Sequence, residues 1–128
     1  MANKVWRVMC VSVALLWAGC SGEASSELVL GGTVNLEQMK LDAKPFETFR
    51  ATAEGEELVL SGKIGKVCPA GCWFYLEGEA DMTYVDVLGD FEVPQSASGR
   101  QSWVRGRVNG EGGAQILQAM RVVVEPAK

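Results

Sequence analysis

The chain has 128 residues, 12 Lys and Arg against 16 Asp and Glu for a net charge of −4, and no histidine. Without imidazole it has no His general base, no His-ligated zinc and no axial His for haem. An acidic chain also lacks the clustered cations that a phosphate backbone requires, so nucleic acid is not an expected partner.

The N-terminus reads as a bacterial lipoprotein signal. Lys4 and Arg7 supply a basic start, Val11 to Trp17 an apolar run, and Leu16-Trp17-Ala18-Gly19 leads into Cys20. The run falls well short of the roughly 20 residues that span a bilayer, and it stops at small residues before a cysteine, which disfavours an uncleaved anchor or a cut elsewhere. Residues 1–19 are therefore expected to be removed and Cys20 acylated, tethering the chain by lipid. Ser21 rather than Asp after that cysteine points to the outer membrane, at its periplasmic face. Cleavage leaves 109 residues, enough for one small domain, and the loss of Lys4 and Arg7 takes the net charge to −6.

Residues 20–27 form a polar tether, and 28–128 the single domain. Leu28-Val-Leu and Thr33-Val-Asn-Leu read as short strand pieces interrupted by Gly31-Gly32. Pro45 followed by Phe46, Phe49 and Ala53 on one face, with Gly55 as a stop, predicts one brief helix. Five strands follow: 57–67, where Leu58, Leu60 and Ile64 alternate with Ser61 and Lys63, then 73–77, 82–88, 101–108 and 115–125. Gly62 and Gly65 allow a bulge or bend in the first, and Gly106 sits among alternating valines in the fourth. Five short strands with glycines at bending positions predict a mainly β fold, a small OB-like Greek-key barrel with one short N-terminal helix.

The cysteines carry the strongest chemical signal. With Cys10 lost in the signal and Cys20 lipidated, Cys68 and Cys72 remain in Val67-Cys-Pro-Ala-Gly-Cys-Trp73. An oxidising envelope predicts a disulfide between them, and Pro69 and Gly71 suit the turn that closing it requires. In strand 73–77, Phe74 and Tyr75 point to opposite faces, so one ring enters the core and the other lies outside near Trp73 or Trp103. Trp73, Tyr75 and Trp103 are thus the candidate ligand-binding residues beside the cysteine loop. Asp81, Asp86, Asp90 and Glu92 lack the ordered spacing of a calcium loop and read as a solvated rim, paired across strands with Arg100, Arg105 and Arg107.

Val67-Cys68, Gly71-Cys72-Trp73, Tyr84-Val-Asp-Val, Phe91-Glu-Val-Pro94, Gly99 and Val104-Arg-Gly-Arg-Val together resemble a family of small bacterial envelope proteins of unknown function with an OB-like barrel. The resemblance spans roughly residues 31–124, and the cysteine segment is its most distinctive part. That family usually has a longer spacer between the cysteines, often with Lys before Gly-Cys-Trp, where this chain has Pro-Ala-Gly. The resemblance implies fold and domain rather than activity.

Three uses remain. The first is a binding module for an envelope protein or small ligand, with no cofactor and no catalytic residue. The second is soft-metal binding, in which Cys68 and Cys72 hold copper and Met82, Met39 or Met120 adds a thioether. The third is a thiol redox protein, which needs a depressed thiolate pKa; Lys66 is the nearest cation in the sequence. The binding module is the favoured reading, and an enzyme the less favoured.

Overall fold

The computed structural model describes residues 27–88, 91–110 and 114–127. The expected signal segment, Cys20, most of the tether and Asp90 lie outside them.

Strands β1 (Leu28–Leu30), β2 (Ala43–Lys44), β3 (Glu57–Val67), β4 (Trp73–Glu77), β5 (Met82–Val87), β6 (Gln101–Asn109) and β7 (Ile116–Val124) are joined with helices α1 (Leu36–Asp42) and α2 (Phe46–Ala51). β3 pairs antiparallel with both β4 and β6, β4 with β5, and β6 with β7, and the parallel β5–β7 pairing closes the ring. The circular order β3-β4-β5-β7-β6 is a five-stranded Greek-key barrel of the OB type, with β1 added antiparallel to β7 and β2 parallel to β3.

Period-2 alternation sends one face of each strand into the barrel. Leu60 and Ile64 of β3, Phe74 and Leu76 of β4, Val85 of β5, Val104 and Val108 of β6, and Leu117 and Val122 of β7 are fully buried together. Phe49 of α2 joins this core, as do Val93 and Ala97 around the 3-10 turn Gln95–Ala97. A second, smaller cluster lies outside the barrel wall, where Met39 of α1 covers Val59, Trp103 and Val123.

Gly62 and Gly106 answer to close backbone approach. A Cβ at Gly62 would lie 2.6 Å from the Glu77 carbonyl oxygen, and one at Gly106 2.6 Å from that of Gln118. The β6–β7 register shifts between Arg105 and Gly106, and the β3–β4 register between Ile64 and Val67.

Three expectations are corrected. Residues 33–35 are not a strand: Asn35 caps α1, its Oδ1 accepting the Gln38 N–H at 3.2 Å, so two helices precede the barrel rather than one. Arg105 pairs with Asp42 of α1 at 3.0 Å, and Asp81 pairs with Arg50 of α2 at 2.9 Å, so these charges bind helices to the sheet instead of matching each other across strands. Apart from these corrections, Arg100 donates to the Glu125 carbonyl at 2.7 Å.

Candidate functional site: a cysteine turn beside a three-ring face

The β3–β4 connection is built by its sequence. Gly71 N–H donates to the Cys68 carbonyl at 2.8 Å, closing a turn with Pro69 at its second position, where a fixed φ is favourable. Gly71 has φ +75°, and a Cβ there would meet the Val93 carbonyl oxygen at 2.8 Å, so both conformation and space call for glycine. The turn is tied down from several sides. Cys68 N–H donates to the Trp73 carbonyl at 2.9 Å, Val93 N–H to Gly71 at 3.0 Å and Val87 N–H to Cys72 at 3.0 Å. The Gln95 side-chain amide reaches the Val67 and Cys68 carbonyls at 3.1 and 2.8 Å.

This frame holds the two sulfurs 3.3 Å apart as thiols, Cys68 half-exposed and Cys72 exposed. The expected disulfide would need them to close to about 2.05 Å. Their electrostatics are unequal. The Ala70 N–H chiefly, then the Cys72 thiol and the N–H groups of Cys72 and Gly71, hold the Cys68 thiol below its ordinary pKa. Cys72 is pushed up, first by its hydrogen bond to Cys68, then by desolvation and by the charges of Cys68 and Asp86.

The outer face of β4–β5 begins where the turn ends. Register places Trp73 opposite Asp86, Tyr75 opposite Tyr84, and Glu77 opposite Met82. Trp73 and Tyr84 stack with centroids 5.6 Å apart and planes at 28°, and Tyr75 packs edge-on to both, at 5.6 and 5.9 Å. All three rings are half-exposed. Desolvation chiefly, then the Asp86 charge, raises the Tyr84 pKa, which keeps its hydroxyl a donor.

The structure therefore brings Cys68, Cys72, Trp73 and Tyr75 together but separates three other candidates. Trp103 is buried beneath α1 with Met39, Val59 and Val123, and Lys40 Nζ lies 4.8 Å from its ring centroid, so it belongs to a packed cluster rather than the ring face. Met82 sits at the opposite end of β5 from Asp86, about 13 Å along the strand at 3.3 Å per residue, with the Tyr75–Tyr84 row between. Met39, on the inner side of α1, is buried in the same cluster as Trp103. Tyr84 and Asp86 are site residues that sequence reasoning missed. The alternation Met82-Thr-Tyr-Val-Asp-Val, once registered through the Gly78-to-Asp81 turn bond of 2.7 Å, is the signal that places them. Among the described residues, no group of three or more Cys, Asp or Glu forms a metal site. A groove of about 800 Å³ lies at the far end of β4, lined by Lys44, Phe46, Arg50, Lys63, Glu77 and Asp81, with Arg50 and Asp81 neutralising each other.

No family model matches the chain, and no curated protein does. Among solved structures, the hypothetical protein ygiW from E. coli is similar at 11% identity, covering 66% of this chain and 89% of that one with a TM-score of 0.48. The telomere capping protein Ten1 from Saccharomyces pombe is similar at 14% identity, covering 63% and 77% with a TM-score of 0.47.

Proposed function

We propose that this chain is a lipid-tethered binding module of the bacterial envelope, of the kind its cysteine motif resembles, and that it receives an envelope protein or small ligand on the outer face of β4–β5. The observation that carries the proposal is the three-ring cluster of Trp73, Tyr75 and Tyr84. Half-exposed rings fixed on the rigid strands of a barrel offer apolar contact area at little entropic cost, and this strand pair with its preceding loop is the face OB barrels commonly use. Asp86 beside Trp73 supplies a charged acceptor at the edge. No cofactor is required.

Copper is the competing use of the loop, because Cys68 and Cys72 are neighbouring sulfur ligands of the kind a soft cation takes. The thioether assigned to it, Met82, is distant, which favours the ring face.

Trp6 and Trp17 lie in the signal, so the processed chain has Trp73 and Trp103. Replacing Trp103 with Phe makes Trp73 the sole indole reporter. The proposal expects a saturable shift in its emission when separated envelope protein, glycan or lipid fractions are added, lost in Tyr84→Ala. Emission unmoved by every fraction overturns it.

A further inference from the structure

We propose that Cys68 and Cys72 form an exchange-active pair that passes its disulfide to a dithiol of a partner protein, rather than a structural staple. This goes beyond the ring-face reading, and the loop alone carries it.

A disulfide's ease of reduction depends on what stabilises its dithiol form and on access to its sulfurs. Here the dithiol is well accommodated. The two thiols lie within hydrogen-bond reach at 3.3 Å, and the Ala70 N–H chiefly, then the Cys72 thiol and the N–H groups of Cys72 and Gly71, favour negative charge on the Cys68 sulfur. These backbone donors are fixed by the Pro69 turn and its ties to Val87, Val93 and Gln95, so no cation or helix terminus is needed. Both sulfurs are at least partly open to solvent. A staple has the opposite character: enclosed, and with nothing to favour its reduced form.

The unequal surroundings assign the roles. A partner thiolate attacks Cys68 Sγ of the oxidised pair; the Cys68–Cys72 bond breaks, and Cys72 leaves with the electron pair and takes up a proton. A second partner thiolate then attacks the partner's sulfur in the mixed disulfide and expels Cys68 as a thiolate onto the waiting N–H groups. The partner dithiol is oxidised to a disulfide and the Cys68–Cys72 disulfide is reduced to the dithiol, one pair for one pair. In reverse, the Cys68 thiolate is the attacking sulfur and Cys72 resolves it.

The test is reaction of the purified, processed protein with glutathione, followed by intact mass, with circular dichroism establishing that each variant is folded. The native pair should equilibrate with reduced and oxidised glutathione without unfolding. At pH 6, Cys72→Ser should form the mixed disulfide with oxidised glutathione faster than Cys68→Ser, because the Ala70 N–H still favours the Cys68 thiolate while desolvation and the Asp86 charge still disfavour that of Cys72. A pair that stays oxidised until the protein unfolds is a staple and overturns the proposal. Equal rates for the two variants, or the reverse order, overturn it as well. These rates are read with glutathione alone and no envelope fraction, so failure here is separate from failure of the ring-face reading, which the Trp73 emission measures.

Discussion

At Gly106 a single missing side chain decides how closely two strands approach. A Cβ there would lie 2.6 Å from the Gln118 carbonyl oxygen and 2.9 Å from Leu117 Cγ, so neither backbone nor core can absorb it without moving. Gly106→Val is expected to lower stability by about 1–3 kcal/mol, the usual cost of overpacking, seen as a fall in the urea midpoint with the slope preserved. An unmoved midpoint would show that β7 yields freely at this point. The mid-strand glycine was legible because it interrupts an alternating valine pattern. Trp103 was not, because the same indole suits a ligand platform or a packed cluster, and only the position of α1 distinguishes them. Tyr84 shows the complementary difficulty: alternation gives its face, but its partner Tyr75 follows only from the hairpin register.

Among elements, all five barrel strands were legible from period-2 alternation broken by glycines, whereas α1 was not. Its signal is local, Asn35 three residues before Gln38 in the pattern of a capping box, and its seven residues make too little helical periodicity to outweigh a β-like Thr-Val start. The charges around the helices depend on tertiary placement. Arg50 of α2 donates to both Asp81 oxygens, at 2.9 and 3.0 Å, and to the Met82 carbonyl at 2.8 Å, pinning the helix to the β4–β5 turn. The Arg50 hydrogen bond chiefly, with help from the Met82 N–H, holds the Asp81 carboxyl below its ordinary pKa. A pKa depressed on folding contributes stability above the unfolded value of about 3.9, and that contribution is lost as pH falls through the lower folded value. Both side chains are substantially exposed, so it should be less than about 1 kcal/mol. Asp81→Asn, which keeps the oxygen that caps Met82, should therefore lower the urea midpoint slightly at pH 7 and cease to differ from wild type near pH 2. A difference that persists in acid would assign the effect to packing.

For the molecule as a whole, the barrel's attachment begins at β1. Leu28, Val29 and Leu30 pair with Val124, Val123 and Val122, so the chain is fastened to β7 from Leu28 onward. Among the described residues no helix is long and apolar enough to cross a membrane; lipid on Cys20 is proposed from the sequence alone. The eight residues 20–27 reach at most about 28 Å when fully extended. A lipidated Cys20 would thus hold the barrel close to the bilayer, where the half-exposed rings meet envelope components at high local concentration. Metabolic labelling with a fatty acid should mark the wild-type chain, which should fractionate with membranes at a size lacking residues 1–19. Cys20→Ala should carry no label and retain its signal, because the cleavage that follows acylation has lost its substrate. One acyl chain alone binds a membrane only marginally, so the multiple chains expected on a lipoprotein cysteine should keep the wild type membrane-bound through high-salt washing. A wild-type protein of processed size that is soluble and unlabelled would overturn the tether, while leaving the barrel and its ring face to be judged by their own measurements.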